Sequence, residues 1–462
     1  LSLVLVFLYA SGLVFLGLRL RSGSGRAEKY VADRSLGTTA VASTLAATSI
    51  GGSATVALAG YVYSRGLPGL WLDLPLAAGL MATGLLLAGR IRSSRALSLP
   101  HLASMHYGRR FRRALALLVL GAEVAWFALL TRAAAPFLGQ MTGLGETAGI
   151  LATAGVFTFY TAIGGQRAVA ASDSLQLALV MFFGLLLPAG IVLTKTGLLA
   201  GLPPDATAFP CGPGLGWQAI LGLFAMMALP GMAGGDVYGK VLSAKGEKEA
   251  RRGSIAAGVV KLVAAACVAV LALGARLMLS PGQNGDEVLS SVLSEALPPV
   301  LLPLTWLAFL AAMMSSADSV LLTGATVLDV DLLPTGRLQW LRPVLVITAL
   351  AAAGTAAALA APGIVPLLLW AYTVFAAGAP LPILAALLLP ERLAGGWATA
   401  ALCSGGLVAA LAKLAGRTSP VLPGLGVSAV LIAAGLLWSS IRPVVHRSGK
   451  ELDPRPGPPL EG

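Results

Sequence analysis

Charge is scarce in this 462-residue chain: Asp, Glu, Lys and Arg together make up 11%, against about 25% in soluble globular proteins. Cysteine is scarcer still, at three residues, too few for a disulfide scaffold in so long a chain. Cys267 and Cys403 fall in apolar stretches and Cys211 in a loop, with no spacing that suggests pairing, so structural thiols are expected. The chain has no Walker A loop, no GxGxxG after a strand, no HExxH and no CxxC. Its three histidines, His101, His106 and His446, do not cluster. An ATP-driven pump would need a phosphate loop on this chain or on a partner, and no residue set suggests covalent catalysis, so an enzyme is not expected. What the chain does have is apolar surface: 57% hydrophobic residues and a mean hydropathy of +0.84. That content excludes disorder and points to a membrane.

About 20 mostly apolar residues cross a bilayer as a helix. Thirteen such stretches are read: 1–18, 38–63, 68–89, 114–138, 147–163, 171–195, 216–236, 254–279, 298–325, 341–361, 363–389, 396–415 and 421–441. The expected fold class is an all-α integral membrane protein with 13 transmembrane helices, one domain over 1–441 with short loops. The polar, Pro- and Gly-rich tail at 442–462 is expected to be cytoplasmic and disordered. With the N-terminus outside, 25 Lys and Arg fall in cytoplasmic segments and five outside, while Arg132 and Lys261 lie within spans. The positive-inside rule therefore sets an N-outside, C-cytoplasmic, multi-pass protein of the plasma (cytoplasmic) membrane. The formal net charge of +12 follows from that asymmetry and from anionic inner-leaflet lipid, so the partner is the lipid bilayer and no nucleic acid is needed. The first stretch carries its charge after the apolar run, in RLRSGSGR at 19–26, which is the wrong order for a cleaved signal peptide.

Two stretches are interrupted. The second, TTAVASTLAATSIGGSATVALAGYVYS, has Gly51-Gly52 at its middle, and the seventh, GWQAILGLFAMMALPGMAGGD, has Pro230-Gly231 and then Gly234-Gly235. They lie five stretches apart. Interruptions at matching places in two five-span halves, 38–195 and 216–389, point to an inverted repeat with a binding site at mid-membrane. A break frees backbone carbonyls that must find a partner, and a hard cation such as sodium takes oxygen. The ninth stretch offers the hydroxyls: Ala312, Ser315 and Ser316 stand at i, i+3 and i+4 on one helical face, and Ser319 continues it. Asp318 lies slightly round from that face. A carboxylate at such depth costs about 2.5–3.5 kcal/mol on insertion scales and marks a functional position. The competing reading of the serines is back-bonding to their own helix.

Three segments resemble the sodium/solute symporter family, which has the LeuT-like fold: FYTAIGGQRAVAASDSLQ (159–176), MSSADSVLLTGATVLDVDL (314–332) and DVYGKVLSAKGEKEARRG (236–253). The resemblance implies a 5+5 inverted repeat with one N-terminal and two C-terminal extra helices. It implies a sodium ion held by carbonyls of Ala47 and Ile50 in the first broken helix, and by the Ala312 carbonyl and the Ser315 and Ser316 hydroxyls. It implies a possible second ion or exit path at Asp173, with Ser315, Asp318 and Ser319 as partners; Asp318 stands where those members have a hydroxyl, so a proton can take that place. The family's usual Gln-Arg after the second broken helix is Gly239-Lys240 here.

The substrate is expected between the breaks, near Ser49, Gly51, Gly52, Ala54, Met226, Met227 and Trp370, with Tyr372 beside Trp370. Asp73, Glu123 and Arg132 add charge, and the Arg132 fork suits a carboxylate. Two alternatives for Arg132 are an internal link to Glu123 and snorkelling to the outer interface. Lys261, near a span end, is expected to snorkel. The functional expectation is sodium-coupled import of a small organic solute, an amino acid or a monocarboxylate, by alternating access. The alternatives are a proton-coupled symporter of the same fold and a transporter-like membrane sensor acting with a separate partner.

Overall fold

Apolar runs rich in Ala, Leu and Gly satisfy their backbone internally only as helices when water is absent, and the chain folds accordingly. The computed structural model describes residues 2–20, 30–197, 201–212, 214–333, 342–361 and 363–441. The tail expected to be disordered, 442–462, lies outside the described residues. The helices in chain order are α1 (Ser2–Arg19), α2 (Thr38–Ser49), α3 (Ser53–Arg65), α4 (Leu67–Ser93), α5 (Leu99–Thr142), α6 (Glu146–Gly164), α7 (Gln166–Thr196), α8 (Trp217–Ala233) and α9 (Gly235–Leu242). They continue with α10 (Glu247–Met278), α11 (Val288–Ala296), α12 (Leu302–Leu332), α13 (Arg342–Ala360), α14 (Ile364–Gly378), α15 (Pro380–Leu388), α16 (Gly395–Leu414) and α17 (Val421–Ile441). Among the described residues, nine helices are long and apolar enough to cross a membrane, or ten when the bent pair α2–α3 counts as one. The protein is an all-helical, multi-pass membrane protein.

Helix ends follow local chemistry. The Ser98 hydroxyl accepts from the His101 amide at 3.0 Å and starts α5. Gly143, at φ +78°, stops it in the left-handed conformation that a side chain disfavours. The core is built around α12, whose most apolar window is 94% buried, against 22% for the peripheral α17. It packs on α5, α6, α7 and α2. Elsewhere α16 packs extensively on α17, and further contacts include α2 with α10 and α7, α8 with α4 and α14, α5 with α13 and α14, and α6 with α13.

The second apolar stretch is bent by 61° between α2 and α3. Ile50 leaves helical geometry at φ −107°, ψ 47°. The chain re-enters through a wide π turn, Ser53–Ala57, whose looser winding is common at functional sites. Glycine is required here by proximity. A Cβ on Gly51 would strike the Ser316 side chain, and one on Gly52 would lie 2.8 Å from the Ala133 Cβ. The seventh stretch is interrupted more gently, at Gly234 (φ −72°, ψ 142°), with Pro230 inside α8 and not at the break. The carbonyl of Gly231 accepts from the Thr83 hydroxyl at 2.8 Å.

Candidate functional site

The last turn of a helix has carbonyls with no intrahelical partner, and α2 ends this way at mid-bundle. The Ser316 hydroxyl of α12 donates to the Thr48 carbonyl at 2.8 Å and to its own Ala312 carbonyl at 3.2 Å. The Ile50 amide donates to the Ala47 carbonyl at 3.2 Å. The oxygen of α2 that Ser316 reaches is thus the Thr48 carbonyl, next to the expected Ala47, and carbonyl and hydroxyl oxygens of this kind are what a hard cation takes. Ser316 is 4% exposed, and Ala47, Ile50 and Ala312 are buried. Back-bonding occurs as well, since Ser316 touches Ala312; the two readings share the same oxygens.

One helical turn further along α12 lies a second polar cluster. Ser315 donates to Asp173 at 2.6 Å, and Thr44 donates to the same carboxylate. Lys240 donates to Ser319 at 2.7 Å and stands 3.8 Å from Asp173. Ser319 and Thr48 hydroxyls are 2.8 Å apart. Asp173, Ser315, Ser319 and Lys240 are all fully or almost fully buried. Asp318 does not join them: it turns to α6, where Thr161 donates to Oδ1 at 2.6 Å, and its Oδ2 has no hydrogen-bond partner among the described residues. Its place one residue beyond Ala317 rotates it away from the Ser315–Ser319 face. Lys240 is one of the 25 Lys and Arg that the topology assigns to cytoplasmic segments; it is 2% exposed, so 24 remain against five.

Lys261 corrects a second expectation. It does not snorkel: it is fully buried, donates to the Ser49 carbonyl at 2.6 Å and pairs with Asp73 at 2.9 Å. The α2 break is therefore held from one side by an ammonium and from the other by a hydroxyl. Asp73 is consumed by that pair and does not reach the cavity.

The cavity itself lies between the two breaks. Ser49, Gly51, Ser53 and Ser316 form one wall, and Gly234, Gly235, Asp236 and Val237 form another. Glu123, Trp126, Tyr372 and Phe375 close it. Of the residues expected around the substrate, Ser49 and Gly51 line it. Gly52 faces Ala133 and Leu129 on α5, and Ala54 is buried in the π turn. Met226 receives the Thr373 hydroxyl at 3.7 Å, and Met227 is buried outside the lining. Trp370 is 41% exposed, with the Lys413 ammonium 5.0 Å above its ring. Its neighbour Tyr372, two residues on, is the one turned inward. Arg132 is likewise absent from the lining. It pairs with Glu146 at 2.9 Å and donates to the Ala358 carbonyl at 3.1 Å, not to Glu123.

Sequence reasoning missed Trp126, Phe375, Asp236 and the roles of both lysines. A signal was present for some of them. Glu123 and Trp126 are three apart on one helical face, and Asp236 follows Gly234-Gly235 directly.

The model of the sodium:solute symporter family matches residues 30–206. High-affinity choline transporter 1 of Caenorhabditis elegans is 28% identical over 345 residues, 67% of this chain, and the chain spans 57% of that relative's length. The sodium/pantothenate symporter of Haemophilus influenzae is 26% identical over 368 residues, 72% of this chain and 71% of that protein. In three dimensions the chain superposes on the substrate-bound outward-open state of a Na+-coupled sialic acid symporter with a TM-score of 0.79, at 15% identity, covering 95% of this chain and 98% of the other. The nucleobase-cation-symport-1 family transporter Mhp1 in a closed conformation follows at a TM-score of 0.63 and 16% identity, covering 92% and 96%. These two likenesses establish a fold of the LeuT-like and Mhp1 type. The sequence matches bear out the resemblance: the chain is similar to the sodium:solute symporter family, and the relatives it matches are transporters, not enzymes.

Proposed function

We propose that the protein imports a small organic solute by sodium-coupled alternating access. The observation that carries this reading is the 2.8 Å contact between the Ser316 hydroxyl and the Thr48 carbonyl at a 61° helix break. Sodium, as co-transported cargo, would lie among the carbonyls of Ala47, Ile50 and Ala312 and the hydroxyls of Ser315 and Ser316, and would tie α2 to α12. Losing it loosens that tie and lets the solute leave. The names and functions of the relatives support sodium coupling. A tenfold sodium gradient supplies about 1.4 kcal/mol, and 100 mV adds roughly 2.3 kcal/mol per charge.

The same reading takes the chain as thirteen spans over 1–441, N-terminus outside, with repeats at 38–195 and 216–389. Reciprocal packing supports it. The second stretch packs on the eighth as the seventh packs on the third, and the second meets the sixth as the seventh meets the eleventh. An inverted repeat relates each contact in these pairs to the other. At the second cluster the Lys240 ammonium already stands between Asp173 and Ser319, so our reading is one sodium per cycle, with the second cation position filled by the chain itself. Asp318, whose Oδ2 has no hydrogen-bond partner among the described residues, gives the proton-coupled reading its test: uptake driven by a pH step without sodium would support it.

Sodium binding is tested without knowing the solute. Purified protein is titrated with NaCl against a KCl background and its unfolding temperature followed. Wild type is expected to show saturable stabilisation by sodium alone, and Ser316→Ala and Ser315→Ala each to weaken it at least tenfold. No sodium-specific shift in wild type, or unchanged affinity in both variants, sinks the site.

A further inference from the structure

The chemistry of the cavity narrows the cargo. Glu123 is 7% exposed, lines the cavity, and has no ion pair or hydrogen bond among the described residues. Asp236 faces the same space from the start of α9. Their side chains form no ion pair with Lys, Arg or His among the described residues. The nearby cations are all committed elsewhere: Lys261 to Asp73, Lys240 to Asp173 and Ser319, and Arg132 to Glu146. Beside the two carboxyl groups stand three aromatic rings, Trp126, Tyr372 and Phe375, the first two packed edge to face with centroids 4.6 Å apart.

A buried carboxylate without a partner is costly unless a charge or donor meets it. A carboxylate solute entering here would find two acidic groups and, among the described residues that line the cavity, no Lys, Arg or His. A cationic head group would find both a counter-charge and ring faces that attract it.

We infer that the solute is a small organic cation, with an alkylammonium head held by Glu123 and Asp236 against Trp126, Tyr372 and Phe375. This rests on the transporter reading above and names the solute class of the same cavity. It replaces the carboxylate-bearing solute expected from Arg132, which the structure engages with Glu146.

The test uses choline and its uncharged carbon isostere 3,3-dimethyl-1-butanol as probes, with the anion acetate and the zwitterion proline as carboxylate-bearing comparators. Binding to the purified full chain is followed by calorimetry in NaCl and, separately, in KCl. Choline is expected to bind at least tenfold more tightly than the isostere and than proline or acetate. That ratio needs no variant. Glu123→Gln is expected to weaken choline at least tenfold while shifting the isostere less than twofold, and Asp236→Asn to weaken choline several-fold. Equal binding of choline and the isostere overturns the inference, as does tighter binding of proline or acetate. So does a Glu123→Gln protein that retains sodium stabilisation and binds choline as wild type does, which would leave Glu123 a proton carrier. The sodium reading fails independently, when NaCl and KCl give the same choline affinity while the choline-to-isostere ratio holds.

Discussion

The two interrupted helices are backed by opposite kinds of polar group. At the first, α2 ends at mid-bundle with carbonyls left over; a hydroxyl from Ser316 and an ammonium from Lys261 meet them. At the second, α9 begins after Gly234, and the acidic Asp236 sits in its first turn. The C-terminal end of a helix is electronegative and draws cations, and the N-terminal end draws anions. A break that presents a helix end toward the bundle centre therefore selects the sign of its partner before any side chain is chosen. The first break collects donors, one ammonium and one hydroxyl, and its carbonyls are where the proposed sodium would sit. The second, already matched by a carboxylate, leaves the cavity net acidic. On the readings proposed above, the difference between the two ends would let a single cavity seat two cations, the ion on backbone oxygen and the organic head on carboxylate and rings.

The largest expected effect comes from breaking the cationic support of the first break. Asp73→Asn leaves the Lys261 ammonium buried with only the Ser49 carbonyl. Removing one member of a buried pair costs about 3–5 kcal/mol. Chemical unfolding should show a loss of this order, and Asp73→Asn with Lys261→Met together should recover part of it. If Asp73→Asn is as stable as wild type, the pair is not what holds the break.

Next comes the close approach itself. Gly51→Ala places a methyl group against the Ser316 hydroxyl and the Leu130 side chain. Pushing α12 away from α2 should weaken sodium stabilisation at least tenfold while choline binding, read in KCl, falls less. Gly239→Ala, where a methyl group meets nothing within 4 Å, is the control and should change neither. An equal loss in both variants would mean that the first break is not special.

A smaller effect is expected at Lys240. Replacing it with Met removes the ammonium between Asp173 and Ser319. Those oxygens, with the Thr44 hydroxyl, are then free to take a second sodium. The sodium dependence of uptake should steepen, with a Hill coefficient rising from about one toward two. A wild-type coefficient already near two contradicts the single-ion reading.

Much of this was legible in residue spacing. Gly51-Gly52 marks the sharper break, and the i, i+4 spacing of Ala312 and Ser316 puts the Ser316 hydroxyl between its own helix and α2, while Ser315 turns to Asp173 on α7. Both are local signals. What spacing could not give is which distant partner a charged side chain finds. Lys261 looks like a snorkelling residue in a window of its own sequence, and only packing of α10 on α2 and α4 brings it to Asp73 and Ser49. Asp318 looks like a neighbour of Asp173 by motif, yet the 100° step between successive helical residues turns it to Thr161. Trp370 and Tyr372 differ by two positions, which on a helix is nearly opposite faces, and the inward one was the less conspicuous of the two.

Arg132 gives the smallest expected effect and the sharpest discrimination. Its guanidinium pairs with Glu146, whose side chain is 62% exposed. An ion pair with so solvated a partner contributes about 0–1 kcal/mol. Arg132→Gln should therefore change stability by no more than that and leave choline binding within twofold of wild type. Were Arg132 the anchor of a substrate carboxylate, the same variant would abolish binding of an acidic solute and spare a cationic one. The variant separates the two ends of the comparison because Arg132 lies on the same helix as Glu123, nine residues along, about 13 Å apart at the helical rise. A mild Arg132→Gln beside a severe Glu123→Gln assigns recognition to the acidic end of that helix, and the reverse order assigns it to the basic one.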